Sequence, residues 1–376
     1  MNHSDLDRNA YLLCGSLAKR GYMRWWHSFV GICAKTGEAR TFFIEYFYIN
    51  PALSTTQPIL GQHPYYKKRG RKPSYAMVKA GVFNSEQEDG IQLHAFYPIS
   101  SMKAATNPLY IQMGDCIYSE NHISGFVDVT PKEARHRSFM SDAGYMEWDL
   151  EVHKAVACHT GKIANRFFSA INALDSFWHG EGIRTFYRGT VNLDGVVYQV
   201  SPESCYGYAD KHWGRTFNKP WLQFASAHLI SSRTGKELKH SALAIDGCCP
   251  KFLCFPLKRR LMIQLTYTGE DFEYNFTRLG SFSRCKWKVK ETNKRFIWHI
   301  MAQNKTSVIK ISGSCQKELM MPLLYESPEG ILSNNPLCAS GAGIGTIEIY
   351  RRIPGGKQLI DTLTVNDALC EYQRSE

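Results

Sequence analysis

Short runs rich in β-branched and aromatic residues, separated by turn chemistry, recur along almost the whole chain. A chain of that kind buries its apolar side chains by pairing strands. The runs fall at 40–49, 90–99, 145–156, 185–200, 222–230, 238–245, 260–267 and 283–289. Between or beside them lie Thr36-Gly37, Leu193-Asp194-Gly195, Thr234-Gly235 and Thr268-Gly269, which read as hairpin tips and so as antiparallel meanders. Of 376 residues, 13% are aromatic and 44% hydrophobic, with 29 Gly and 15 Pro to supply turns, which excludes disorder and favours an all-β fold. The one helix expected is 162–174, where Ile163, Phe167, Phe168, Ile171 and Leu174 recur at helical spacing.

An internal echo sets the domain organisation. Trp26-His27-Ser28-Phe29 leads through an apolar strand to Thr36-Gly37, and Trp221-Leu222-Gln223-Phe224 leads through a similar one to Thr234-Gly235. Two related β units are the simplest explanation, with the same inward and outward alternation in each. The join is expected within 162–179, giving units of 1–170 and 171–376.

Charge and cysteine usage narrow the function classes. Lys and Arg total 45 against 34 Asp and Glu, a net charge of +11, so the surface attracts anions. The cations concentrate in Lys67-Lys68-Arg69-Gly70-Arg71-Lys72 and Lys258-Arg259-Arg260. Neither run is interleaved with aromatics, so solvated loops are expected and no nucleic-acid partner. The first thirty residues carry Asp5, Asp7, Arg8, Lys19 and Arg20 with no apolar signal core, so the 12 cysteines are expected to be reduced thiols in a cytoplasmic protein. No Cys-x-x-Cys, His-x-x-x-His or His-Glu-x-x-His occurs, so no metal site is expected. No apolar run approaches the ~20 residues of a membrane helix, so no integral membrane segment is expected. Gly341-Ala342-Gly343-Ile344-Gly345-Thr346 lacks the third Gly of a dinucleotide loop and leads into a strand, so no nucleotide cofactor follows from it. Cys205 stands in no triad pattern and reads as a packed thiol.

The densest polar and aromatic segment runs from Tyr206 to Arg215 and is too polar for an ordinary buried strand. If it is extended, Tyr208, Asp210 and His212 share one face while Ala209, Lys211 and Trp213 share the other. A carboxylate beside a phenol and an imidazole is a proton-transfer set, in which burial among aromatics raises the carboxyl pKa and makes Asp210 a general acid. The competing reading pairs Lys211 with Asp210 as a structural ion pair.

Gly207-Tyr208-Ala209-Asp210-Lys211-His212-Trp213-Gly214, followed by Phe217 and Trp221, resembles the G-x-x-(D/E)-K-x-W-G…F…W signature of the tocopherol cyclase-like family. The hairpin Phe186-x-x-Gly189-Thr190-Val191-x-Leu193-Asp194-Gly195-x-x-Tyr198, the opening Gly21-Tyr22-Met23-Arg24-Trp25-Trp26-His27 and the strand Gly144-Tyr145-Met146-Glu147-Trp148-Asp149-Leu150 resemble further elements of that family. The family is similar in fold to carotenoid 1,2-hydratases and lipocalin-like Diels-Alderases, which implies two tandem lipocalin-like antiparallel β-barrel units. It also implies a cofactor-independent cyclase, isomerase or hydratase acting by acid catalysis on a hydrophobic, alkene-bearing small molecule such as a prenylated phenol, isoprenoid or polyketide.

Carried over residue by residue, the resemblance makes Asp210 the proton donor with Tyr208 beside it, and Lys211 and His212 complete the catalytic segment. Trp213 and Trp221 would stabilise a developing cation through their ring faces. Tocopherol cyclases usually have Glu where Asp210 stands, and the plastid enzymes begin with a transit peptide not seen here, so a tocopherol precursor does not follow as substrate. In the amino-terminal unit Arg24, Trp26, His27, Glu45 and Tyr46 are the candidates to line a cavity, Arg24 and Glu45 alternatively forming a buried ion pair between strands. The other function class is a non-catalytic carrier of a hydrophobic ligand, which uses the same aromatic cavity and leaves Asp210 paired outside it.

Overall fold

The computed structural model describes residues 9–157, 175–249, 251–252, 255–257, 260–275 and 283–374. The chain is all-β, folded as two antiparallel sheet units of lipocalin-like type. The expected helix at 162–174 lies outside the described residues.

The strand Tyr22–Cys33 organises the first unit. Eleven of its residues pair with Ala39–Ile49 across the Thr36-Gly37 turn, and Tyr75–Val82 and Ile91–Tyr97 follow outward in chain order. On its other side it pairs with Gly207–Gly214 along one half and with Val196–Val200 at its end. Both of these also pair with Ser176–Leu193, from which the sheet continues through Gly144–Val156 and His122–Val129. Curling of this sheet encloses a core that includes Trp25, Phe29, Tyr46, Trp148 and Tyr187.

The second unit repeats that plan. Trp221–Ser226 pairs with Ala242–Cys248 on one side and with the last strand, Gly356–Gln373, on the other. Arg260–Tyr267 and Glu270–Asn275 extend one flank, while Leu337–Ile353, Ser307–Gln316, Arg295–Gln303 and Arg284–Glu291 extend the other. Its core includes Phe224, Ile263, Trp298 and Ile347.

The first sheet keeps all strands through Gly214 and the second begins at Trp221, so the change of sheet falls at 215–220. The expected division at 170/171 does not coincide with it. Gly207–Gly214 is drawn into the first sheet because two strands of that sheet offer it partners on both edges, and glycine at each end allows the approach. A Cβ on Gly207 would stand 2.4 Å from the Thr185 carbonyl oxygen and 2.5 Å from the Tyr187 ring, and one on Gly214 would stand 2.4 Å from the Asp175 carbonyl oxygen.

A third apolar cluster lies where the two sheets face each other, with Trp26, Phe43, Trp178 and Tyr208 from the first and Trp221, Ala225, Ala244 and Leu369 from the second.

Candidate functional site

Cross-strand partners point to the same face of a sheet, so the strand registers define which side chains form each facing layer. In the first sheet Asp210, Trp26, Glu45, Lys79 and His94 form one row across five strands. The adjoining row holds Trp178, His212 and Arg24. In the second sheet Glu371, Gln223 and Asp246 form the facing row. All of these are buried.

Asp210 is the hub. Its Oδ2 accepts hydrogen bonds from Trp178 Nε1 at 3.0 Å, Tyr208 OH at 2.9 Å, His212 Nε2 at 3.1 Å and Gln223 Nε2 at 2.7 Å. The last of these crosses from the second sheet. Burial alone would push this carboxyl up, but His212, Arg24 and the Trp178 indole outweigh it and bring the value down to about 2. Asp210 is therefore ionised, contrary to the protonated acid expected from its aromatic surroundings: His212 and Arg24 favour the charged form, and the Trp178 indole adds a donor to its apolar surface. Because an ionised carboxylate only accepts, Nε2 of His212 carries the hydrogen. Burial holds the imidazole down at about 4 despite the opposing pull of Asp210, so it is neutral at pH 7 with Nδ1 as its basic atom.

Arg24 anchors the second part of the layer. Its guanidinium lies 3.3 Å from Glu371, 3.3 Å from the Tyr325 hydroxyl and 3.9 Å from Glu45, and 5.4 and 5.7 Å from the rings of Trp26 and Trp221. Tyr325 OH donates to Glu45 at 2.8 Å and Trp221 Nε1 donates to Glu371 at 2.9 Å. Lys79 lies 3.6 Å from Glu45, and burial lowers its ammonium to about 7. The expected Arg24–Glu45 ion pair is present as one edge of a network that also ties the two sheets together.

A cavity of about 500 Å³ reaches this layer from the surface. Arg24, His212, Tyr22, Trp221 and Tyr325 stand in its wall, with Phe217, Leu323, Leu332 and Leu337 supplying apolar lining. Asp210 is not in the wall and meets the cavity through His212. The size is that of a small-molecule site, and the wall mixes this apolar surface with polar and charged groups that include Asn218, Lys219, Lys251 and Glu329.

The alternation read from the sequence separates the other candidates. Lys211 and Trp213 point away from Asp210 into the core of the first unit, where the Lys211 ammonium approaches the Ala10 carbonyl oxygen and Trp213 stacks on Phe177 at 5.3 Å. The structural Asp210–Lys211 ion pair is thereby replaced by the Asp210–His212 contact. His27 also lies on that inner face, its Nδ1 2.9 Å from Tyr187 OH and its ring edge-on to Tyr118. Tyr46 donates to the Ile117 carbonyl oxygen at 2.7 Å. None of these four is in the cavity wall. Trp178, Gln223, Asp246, Glu371, Lys79 and Tyr325 were not singled out by the sequence reading. Gln223 stands within the Trp221-to-Phe224 echo, one step of the period from Trp221, and that was the one signal available for it.

No family model and no curated protein sequence matches the chain. Among solved structures, the chain is similar to kievitone hydratase from Nectria haematococca, at 12% identity over 94% of this chain and 89% of that one, with a TM-score of 0.43. It is also similar to CghA, solved with Sch210972, at 10% identity over 95% and 89%, with a TM-score of 0.47. These are likenesses of chain course and carry no argument about chemistry.

Proposed function

We propose that this chain is a cofactor-independent isomerase, cyclase or hydratase that binds a hydrophobic, alkene-bearing small molecule in the cavity between its sheets. The observation that carries this reading is the Asp210–His212 pair, a neutral imidazole at the cavity wall whose far nitrogen is held by a buried carboxylate. That arrangement favours a base-first mechanism over alkene protonation by Asp210. Nδ1 of His212 takes a proton from a C–H or O–H of the substrate, and the imidazolium that forms is stabilised by Asp210. Arg24, in the same wall, suits a developing oxyanion. Return of the proton to another atom of the same molecule gives an isomer or a ring-closed product of unchanged mass. Where water is the group deprotonated and adds to the alkene, the product gains the elements of water and the imidazolium returns the proton to carbon.

Incubation with a panel of prenylated phenols and enones, read by chromatography and mass spectrometry, tests this reading. The expected result is an isobaric or hydrated product from the native chain and none from His212→Gln. Retention of a panel compound without conversion would instead make the protein a carrier.

A further inference from the structure

Away from the cavity, the outward face of the second sheet carries a concentration of positive charge that the proposed chemistry does not use. Strand Arg284–Glu291 lies at the sheet edge and alternates cleanly, so Arg284, Lys286, Lys288 and Lys290 are exposed on one face while Trp287 is turned into the core. No carboxylate among the described residues forms an ion pair with any of the four. Register places His299 beside Lys288, and Lys310 one strand beyond Met301 in the Lys286 row, so the positive face extends inward from the edge. Glu348 interrupts it but is paired with Lys310 at 2.8 Å.

That face runs into the tip of the long Leu337–Ile353/Gly356–Gln373 hairpin, Met301 standing in the wall of both adjoining depressions. Residues 351–359 are exposed throughout. They combine Arg352 and Lys357 with two large apolar side chains, Ile353 at 46% exposure and Leu359 at 51%, while Arg351 is paired with Glu270 at 2.7 Å. Lysines on an edge strand guard against edge-to-edge pairing. Edge protection gives no reason for an exposed isoleucine and leucine at a hairpin tip that begins three strands further in.

We propose that this surface docks the protein onto an anionic phospholipid bilayer, the hairpin tip entering the headgroup layer while the basic face lies along it. Cations flanking exposed aliphatic side chains match the two components of such a surface, anionic headgroups and the acyl boundary beneath them. A nucleic acid would draw on the charge alone, and stacking on bases calls for open aromatic rings, whereas Trp287 is buried and the half-buried Tyr350 ring carries the Lys310 and Lys357 ammonium groups at 5.1 and 4.0 Å. Peripheral binding of this kind needs no membrane-spanning element, and no helix among the described residues is long and apolar enough to be one.

Co-sedimentation of the full chain with phosphatidylcholine vesicles, with and without phosphatidylserine, is the direct test, with duplex DNA as a competing probe. Binding should require phosphatidylserine and weaken as salt rises past the range where the Debye length falls below about 10 Å. Each lysine near the surface contributes roughly fivefold, so Lys286→Gln, Lys288→Gln and Lys290→Gln together should lower the partition coefficient about a hundredfold. Ile353→Ser with Leu359→Ser should lower it about tenfold or more while leaving its salt dependence in place. The composition and salt series use the native chain, so they decide the matter even where a variant fails to fold. Equal binding to neutral vesicles, no binding at all, an unaffected lysine variant, or preference for duplex DNA would each overturn the proposal.

Discussion

Within one buried layer two aspartates have opposite fates, and the difference lies in what surrounds each oxygen. Asp210 accepts four hydrogen bonds and is ionised. Asp246 is pushed well above the carboxylate range, first by burial and then by the charge of Asp210. Among the described residues its Oδ1 has no hydrogen-bond partner, and neither does Oε1 of Gln223, its cross-strand neighbour. A proton on Asp246 supplies the donor that both oxygens lack. Asp246→Asn is therefore expected to change unfolding free energy by less than about 1 kcal/mol, whereas Asp246→Leu leaves Gln223 unsatisfied and should cost about 1–3 kcal/mol. Denaturant titration separates the two, and an infrared carbonyl band of a protonated carboxyl should be lost in the Asn variant. Asp210→Asn is a different case, because an amide presents hydrogens to donors that already converge. Turnover should fall by roughly 10² to 10⁴ as His212 loses its orienting carboxylate, with a drop in melting temperature alongside. Unchanged turnover in that variant would remove His212 from the mechanism.

At the scale of strands, period two was the reliable guide. It placed Tyr208, Asp210 and His212 on one face and Lys211 and Trp213 on the other, and the hydrogen bonds follow that division. The internal echo reads the same way. Trp26 and Trp221 lie between the sheets while Phe29 and Phe224 enter the cores of their own units, each on the first strand of its sheet. What periodicity along a strand does not contain is register between strands. Glu371 reaches Arg24 from the far end of the chain, and Gln223 reaches Asp210 across the sheet gap, through pairings fixed only once both sheets form. The expectation of a protonated Asp210 fails for the same reason, since the positions of His212 and Arg24 beside it, and of the Trp178 N–H, depend on register and strand geometry that its aromatic neighbours in sequence do not reveal. The glycine at the head of this strand was legible as a residue but not as a requirement. Gly207→Ala drives a methyl into the Thr185 carbonyl and the Tyr187 ring, and should cost about 3 kcal/mol or more in thermal unfolding. Gly37→Ala, at a turn with φ of 74° and open space around its Cβ, should cost only about 1 kcal/mol. Equal costs would mean that the strand moves to make room.

For the molecule as a whole, folding withdraws titratable groups from water on both sides of the first sheet, so stability becomes a function of pH with terms of opposite sign. A base whose folded pKa is lowered is bound by more protons when unfolded, so its stability is fully present above the unfolded value and is lost as pH falls towards the folded one. His27 is the clearest case: burial, helped by Lys154, brings it down from 6.5 to about 3. Between pH 6.5 and 4 a shift of that size removes about 3 kcal/mol. Asp246 works in the other direction. Its raised pKa gives stability that is fully present below the unfolded carboxyl value and is lost as pH rises through the folded one. The native slope is thus a difference between the two kinds of group, and a single pH titration of melting temperature does not separate them. His27→Gln does, because it removes one titrating base while keeping a polar partner for the Tyr187 hydroxyl, 2.9 Å away in the native chain. The variant should be less stable than the native chain at pH 7, and the gap should close by about 3 kcal/mol on going to pH 4. A gap that stays constant over that range would mean that His27 takes up its proton in the folded state, and that the core of the first unit admits water where the packing of Tyr118 and Tyr187 indicates a dry interior.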